Sequence, residues 1–206
     1  ELACDGLAGV SASQVEIQSG IQFYDGMSTA DIQEILVRSA SDLIDLDAPN
    51  YQYVASRLLL FGLRKNLYGR LHELPTLIDQ ITRGVDKGIY DADILKKYNK
   101  DEINTLDTII EHNRDYLFTY AGMRQVTDKY LVQDRSTGEV YETPQFMYML
   151  IAMTIFAEYP EENRLDYVTR YYNAISKHKI NIPTPIMGGV RTPIRQFASC
   201  VLVDID

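Results

Sequence analysis

A cysteine near the end of the sequence is the residue best able to do chemistry. Cys200 follows the polar segment 191–199 and precedes the apolar run Val201-Leu202-Val203, which is typical of a β-strand. A thiol can act as a nucleophile or in redox chemistry, and cationic neighbours increase its thiolate fraction. A cysteine entering an apolar strand is more often inert packing, and the residues alone leave that alternative open.

Several groups that could bind an anion precede this thiol. They are Thr184, Arg191, Thr192, Arg195 and Ser199. Guanidinium and hydroxyl groups donate hydrogen bonds to phosphate oxygens, so this composition suits a phosphate-bearing ligand. The pair Gly188-Gly189 could also approach a phosphate, although a pair of glycines is more typical of an ordinary turn.

Other kinds of chemistry have little support. His72, His112 and His178 are the only histidines, and none has a second histidine or a cysteine at ligand spacing, so we predict no metal site. The sequence contains no GxxxxGK[ST] phosphate loop and no GxGxxG after a strand. Of the 15 tyrosines, we expect those along the central helical stretch, such as Tyr51 and Tyr68, to serve in packing.

The composition is that of an acidic globular protein. The 206 residues are 46% hydrophobic and 24% charged, with a net charge of −9. Such a chain does not attract polyanions, so we predict no nucleic-acid partner. The longest apolar run, residues 146–157, is too short to cross a bilayer, and we predict no membrane span.

The cysteine usage and the first residues bear on location. Cys4 and Cys200 are the only cysteines and lie almost a chain length apart, which favours a reducing compartment and predicts a cytoplasmic protein. No signal peptide is visible at the acidic start. The first residue is Glu1 and not methionine, and we expect the chain to begin inside a longer protein.

Most of the chain carries helical signals. Three pairs have the spacing of helix caps: Ser13 with Glu16, Ser28 with Asp31, and Asn99 with Glu102. The stretch 50–69 is apolar on more than one side, which predicts a central helix that ends at a glycine.

The second half contains a buried helix and a change of period. Thr143-Pro144 begins the apolar run, and proline suits the first turn of a helix. Tyr130–Val132 and Val140–Tyr141 are β-like runs around a loop with Gly138, which predicts a β-hairpin. From Ile180 onward the prolines predict an extended, irregular tail. The predicted class is therefore mainly α, with one hairpin and one terminal strand.

Four blocks of the sequence resemble the large, catalytic α subunit of class I ribonucleotide reductase, of the bacterial and T-even-phage type. The blocks are IQFYDGMSTADIQEI, DAPNYQYVASRLLLFGLRKNLYG, KYLVQDRSTGEVYETPQF and LDYVTRYYNAISKHKINIPTPIMGGVRTPIRQFASCVLV. The resemblance extends over essentially all of the chain, and the last block is the most specific. It implies that the chain is the N-terminal part of such a subunit.

The resemblance implies a layout in three parts. Residues 1–69 are expected to be most of an ATP-cone, and residues 70–190 the helical N-terminal domain of the reductase. Residues 191–206 are expected to begin the catalytic α/β barrel with its first strand. That strand lacks its barrel neighbours here, so we expect it to be frayed or wrongly paired.

The resemblance also implies an activity and its residues. In the family, ribonucleoside diphosphates are reduced to deoxyribonucleoside diphosphates by thiyl-radical chemistry, for DNA precursor synthesis. Cys200 matches one member of the redox-active cysteine pair, while Thr184 and Ser199 match positions at the substrate diphosphate. The radical-bearing cysteine and the partner of Cys200 lie outside this sequence, so we expect this chain alone to be inactive.

The same resemblance implies effectors and partners. Thr29 matches a nucleotide contact of the ATP-cone, whereas Gln33 stands where many relatives have histidine and Asn66 where they have lysine. We therefore expect weakened control by ATP and dATP. We expect no cofactor held by this chain, a separate metal-containing β subunit that supplies the radical, a reductant of the thioredoxin or glutaredoxin type, and a homodimer at full length.

Two other functions remain as alternatives. The first is a nucleotide-binding regulatory or assembly module with no chemistry of its own. The second is a helical scaffold in which Cys200 is only a packed side chain. A Cys200→Ser variant separates the reductase from the first alternative, because only the reductase loses turnover.

Overall fold

The computed structural model describes residues 1–200 together with 202 and 203. Ten α-helices form most of the regular structure in that part of the chain. They are α1 (Ala12–Gly20), α2 (Thr29–Asp42), α3 (Tyr51–Tyr68), α4 (Leu77–Asp86), α5 (Asp93–Lys97), α6 (Lys100–Asp107), α7 (Tyr120–Gln125), α8 (Pro144–Ile155), α9 (Glu161–Ser176) and α10 (Thr184–Gly189). Two 3-10 turns, Leu2–Cys4 and His112–Leu117, and a π turn, Val126–Tyr130, complete the helical structure. The predicted mainly α class is confirmed.

The chain forms two compact units. Unit 1 consists of Glu1–Glu73 and Asp115–Asp128, and unit 2 consists of Leu74–Arg114 and the chain from Lys129 onward. Among the helices that the structure describes, none combines the length and the apolar character that crossing a bilayer requires.

Helix α3 is the centre of unit 1. It packs against α2 and α7 and against the first turn of the chain, and it buries residues on several sides, among them Val54 and Leu60. It ends at Gly69, whose φ of 72° lies in the left-handed region that glycine adopts without strain. The ion pair between Arg64 and Asp115, 3.1 Å apart and almost fully buried, fixes the distant second segment of the unit.

Helix α8 is the centre of unit 2. Every residue from Pro144 to Met153 is buried, so the buried helix predicted from the apolar run is confirmed. It packs against α9 and α10. The Tyr98 hydroxyl donates to the Met153 carbonyl at 2.8 Å, which satisfies the one polar atom of a buried ring.

Side-chain caps mark the starts of helices α2 and α6, as the sequence predicts. The Ser28 hydroxyl accepts the backbone N–H of Asp31 at 3.1 Å. Asn99 and Glu102 form the full reciprocal box, in which each side chain accepts the other's backbone N–H at 3.0 and 2.9 Å. These two predicted caps are confirmed, because such bonds depend only on neighbours along the chain. The predicted cap at Ser13 was wrong, because α1 already begins at Ala12 and has no side-chain cap.

The predicted β-hairpin is present only as a turn with a single antiparallel bridge. That bridge joins Gln133 to Val140, and Gly138 turns the chain with a φ of 75°. Pairing stops because the N–H of Val132 donates to the side chain of Glu142 at 2.8 Å instead of to a backbone carbonyl. The expectation of two hairpin strands was therefore wrong. At the next rung the Tyr141 N–H still donates to the Val132 carbonyl at 2.9 Å, but the carboxylate takes the Val132 N–H.

The terminal strand is likewise not formed in the part of the chain that the structure describes. Residues 194–200, 202 and 203 have no strand structure, and the remainder of the predicted strand, Val201 and residues 204–206, lies outside the described residues. A strand requires a neighbour to accept and donate its backbone hydrogen bonds. The tail expected to be irregular does contain one helix, α10, which the prolines obscured.

We predict that Gly84→Ala destabilises unit 2, although alanine is the better helix former. A Cβ at Gly84 would lie 2.1 Å from Cδ2 of the buried Tyr90 ring. Relief of that clash should lower the free energy of unfolding by about 1–3 kcal/mol. Urea unfolding followed by circular dichroism measures this change. Gly188→Ala in α10 is the matched control, because its Cβ would enter open space, and it should be neutral or slightly stabilising. Equal stability of the two variants would contradict the prediction.

Candidate active-site segment from Thr184 to Cys200

Cys200 and Ser199 are exposed at the end of the described chain. The thiol is free, and the Ser199 hydroxyl lies 3.9 Å from its sulfur. Both residues are exposed in the described part of the chain.

Thr184 begins α10 between two prolines. Its side chain is exposed, and its hydroxyl lies 3.3 Å from the hydroxyl of Tyr130. Among the described residues, no hydrogen bond joins Thr184 to Ser199 or Cys200. The structure therefore brings Ser199 and Cys200 together as chain neighbours and places Thr184 beside Tyr130.

A fully buried ion pair holds the segment between these residues. Arg191 and Glu142 both have 0% side-chain exposure. The guanidinium Nε donates to both carboxylate oxygens at 3.0 Å, and Nη2 donates to Oε1 as well. Nη1 donates to the Met187 carbonyl at 2.5 Å, and Nη2 donates to the Tyr130 carbonyl at 2.9 Å. One planar group thus joins α10, the turn at Tyr130 and the approach to α8.

The Glu142 carboxylate accepts a further hydrogen bond from a buried tyrosine. The Tyr90 hydroxyl donates to Oε2 at 2.8 Å, and Gln80 donates to the Tyr90 oxygen at 2.8 Å. Burial, and then the Glu142 charge, raise the pKa of Tyr90 well above its usual value. The phenol therefore stays protonated and remains a donor, which compensates the cost of burying the carboxylate.

Three of the groups that the sequence suggested as anion binders are already engaged. Arg191 is buried against Glu142, and the buried Thr192 hydroxyl donates to the Gly189 carbonyl at 2.7 Å. Arg195 is exposed but forms an ion pair with Asp91. For Arg191 the interpretation was wrong, because a guanidinium with no solvent exposure cannot meet a diffusing anion.

The residues proposed for effector binding lie in unit 1. Thr29 is the first residue of α2 and is exposed, and Asn66 is exposed in the last turn of α3. The Gln33 amide donates to the Leu58 carbonyl at 2.7 Å, and its side chain packs where a Cβ on Gly62 would lie. Gln33 thus links α2 to α3.

The other cysteine has a different environment. Cys4 is half-buried against the core of unit 1, and burial raises the pKa of its thiol. It is therefore mostly a neutral thiol that packs. In the described ranges, 1–200 and 202–203, no group of His, Cys, Asp and Glu is arranged to hold a metal ion.

Sequence reasoning did not single out Glu142, Tyr90 or Tyr130. A carboxylate directly before a helix that is apolar on all sides was the available signal for Glu142, because a carboxylate in such a position is buried only with a partner. For the two tyrosines no signal distinguished them among the 15 in the chain.

Comparison with known proteins finds one matching family model and several similar subunits. Residues 116–195 match the sequence model of the ribonucleotide reductase all-alpha domain. Over 202 residues, 98% of this chain, the sequence is 53% identical to ribonucleoside-diphosphate reductase 1 subunit alpha of Escherichia coli K12. The subunit alpha of Haemophilus influenzae is 51% identical over 99% of the chain, and that of Enterobacteria phage T4 is 46% identical over 95%.

The helical fold fits the all-alpha domain whose model matches residues 116–195, and almost the whole chain is similar to ribonucleoside-diphosphate reductase alpha subunits. The resemblance to the bacterial and phage α subunits is confirmed, since it extends over almost the whole chain. The matched segments make up 26%, 27% and 26% of those three relatives. The chain thus spans about a quarter of their length.

We predict that Arg191→Met lowers the free energy of unfolding by about 3–5 kcal/mol, because it leaves the Glu142 charge buried without its partner. Urea unfolding of the chain, followed by circular dichroism, measures this change. Arg195→Gln is the matched control. The Arg195 guanidinium is exposed to solvent in its ion pair with Asp91. Its loss should therefore lower the free energy of unfolding by less than about 1 kcal/mol. Similar losses for both variants would contradict the role given to Arg191.

Proposed function

We propose that this chain is the N-terminal part of a ribonucleoside-diphosphate reductase α subunit and that Cys200 is one thiol of its redox pair. The observation that carries the proposal is the 46–53% identity of almost the whole chain to such subunits. Cys200 is a free cysteine, and it follows a segment anchored by a buried ion pair. Thr184 and Ser199 are the proposed contacts to the substrate diphosphate.

The reaction explains why a thiol is required at this position. Replacement of the ribose 2′-hydroxyl by hydrogen releases water and consumes two electrons and two protons. Two thiols supply both when they are oxidised to a disulfide, which a serine hydroxyl cannot do. The partner thiol and the thiyl radical that abstracts the 3′-hydrogen would come from the remainder of the full-length subunit.

The proposed layout follows the family. Residues 1–69 are a partial ATP-cone, residues 70–190 the helical N-terminal domain, and residues 191–206 the start of the barrel. Leu202 and Val203 are 104% and 75% exposed, and two apolar side chains so exposed favour a strand that pairs with barrel neighbours in the full-length subunit.

The proposed partners follow from the same role. They are a ribonucleoside diphosphate, a β subunit that supplies the radical from its metal site, a reductant of the thioredoxin or glutaredoxin type, and a second α subunit. Two free cysteines far apart in the chain fit a reducing, cytoplasmic compartment.

In the full-length enzyme, Cys200→Ser should reduce deoxyribonucleotide formation to background while nucleoside diphosphate binding persists, because the oxygen cannot form the disulfide. Product formation and equilibrium binding of the diphosphate measure the two effects. Cys4→Ser is the matched control, since it removes the other free thiol of this chain and should leave turnover unchanged. Full turnover by Cys200→Ser would instead favour a regulatory or assembly module.

We further propose that control by dATP is weak in this protein. Asn66 cannot form the charge-assisted bond to phosphate that a lysine makes, and the Gln33 amide already bonds to Leu58. An effector bound at Thr29 would then lack the hydrogen bonds that a lysine at position 66 and a free side chain at position 33 would supply.

The variant Asn66→Lys should therefore lower the dATP concentration for half-inhibition of the full-length enzyme by roughly ten- to a hundredfold. The neutral variant Asn66→Gln should behave like the unaltered protein in the same titration. Strong inhibition of the unaltered protein at low dATP would refute the proposal.

A further inference from the structure

The hydroxyl of Tyr130 lies 3.3 Å from that of Thr184, although the two residues are 54 positions apart. Thr184 is exposed and Tyr130 is half-buried. Each hydroxyl can donate one hydrogen bond and accept others, so either residue can be the donor in this bond. A hydrogen bond from Tyr130 would therefore orient the Thr184 hydroxyl, because it would occupy a lone pair of the threonine oxygen.

The buried Arg191 guanidinium fixes the backbone positions of the two residues relative to each other. The Tyr130 carbonyl accepts Nη2 of Arg191 at 2.9 Å. Nη1 of the same guanidinium donates at 2.5 Å to Met187, one turn after Thr184 in α10. Because the guanidinium is planar and fully buried, it holds both backbones in one fixed geometry.

A cationic side chain lies beside the Tyr130 ring. The Lys129 ammonium lies 5.3 Å from the centre of the Tyr130 ring, and it forms no ion pair with any residue that the structure describes. Lys129 also lines a cleft of about 290 Å³ with Gly188 of α10 and with Arg135. No carboxylate is among the lining residues of this cleft, and neither Tyr130 nor Thr184 lines it.

We propose that Tyr130 is a positioning residue for Thr184. Its hydroxyl donates to the Thr184 oxygen and thereby turns the threonine proton toward the substrate diphosphate. This inference rests on the proposed function, because it takes the diphosphate as the ligand of Thr184. Tyr130 itself touches neither the ribose nor the reacting thiols.

The test uses the full-length enzyme and the Tyr130→Phe variant, which keeps the ring and its contact with Lys129. We expect KM for the ribonucleoside diphosphate to rise roughly three- to tenfold, the effect of one neutral hydrogen bond, with kcat changed less than twofold. Tyr167→Phe is the matched control, since it removes a partly exposed hydroxyl elsewhere in unit 2 and should leave KM unchanged.

A double-mutant cycle with Thr184→Val separates positioning from a general structural effect. If Tyr130 acts through Thr184, Tyr130→Phe should add no further rise in KM in the Thr184→Val background. With Thr184→Ser, which restores the hydroxyl, the effect of Tyr130→Phe should return.

Three results would overturn the inference: an unchanged KM in Tyr130→Phe, an equal rise in both backgrounds, or a Thr184→Val variant with normal KM. A loss of active enzyme without a change in KM would also overturn it and assign Tyr130 to packing. The proposed function fails separately, if Cys200→Ser retains turnover.

Discussion

The guanidinium of Arg191 and the carboxylate of Glu142 have no exposed surface, so neither charge can exchange its partner for water without moving the backbone. An unpaired charge in such a site costs several kcal/mol. This pair therefore holds the segment that carries Thr184 and leads to Cys200 to the core of unit 2. Tyr130, α10 and the start of α8 all meet there, and the positions of the candidate site residues follow from it.

Similar pairs recur elsewhere in the chain. Arg191 and Glu142 are 49 positions apart, Arg64 and Asp115 are 51 apart, and Arg164 and Glu102 are 62 apart. Each pair lies within one unit and joins segments that no local signal connects. A buried pair adds little net stability compared with apolar packing, but it penalises every arrangement that separates its members. We infer that these arginines specify which distant segments meet, while apolar burial on α3 and α8 supplies most of the stabilisation.

The sequence predicted what depends on neighbours along the chain. The caps at Ser28 and Asn99, the glycine end of α3 and the buried α8 all follow from short-range bonds or apolar patterns. It failed where the partner is remote. Glu142 ends the hairpin ladder through its side chain, and Arg191 is buried by a residue 49 positions away, although a polar context suggested a free cation. Cys200 stays a prediction from residue type and from family resemblance, whereas nothing in the order of residues distinguished Tyr130 from the other tyrosines.

The Arg191 guanidinium should hold the segment from α10 to Cys200 in place. The sharpest test is amide hydrogen exchange, compared between the full-length protein and its Arg191→Met variant. We expect faster exchange in the variant at Met187, Thr192 and Asp91, whose N–H groups bond within or onto this segment, with α9 unchanged. An unchanged exchange rate at these three amides would contradict it, as would an equal increase throughout unit 2.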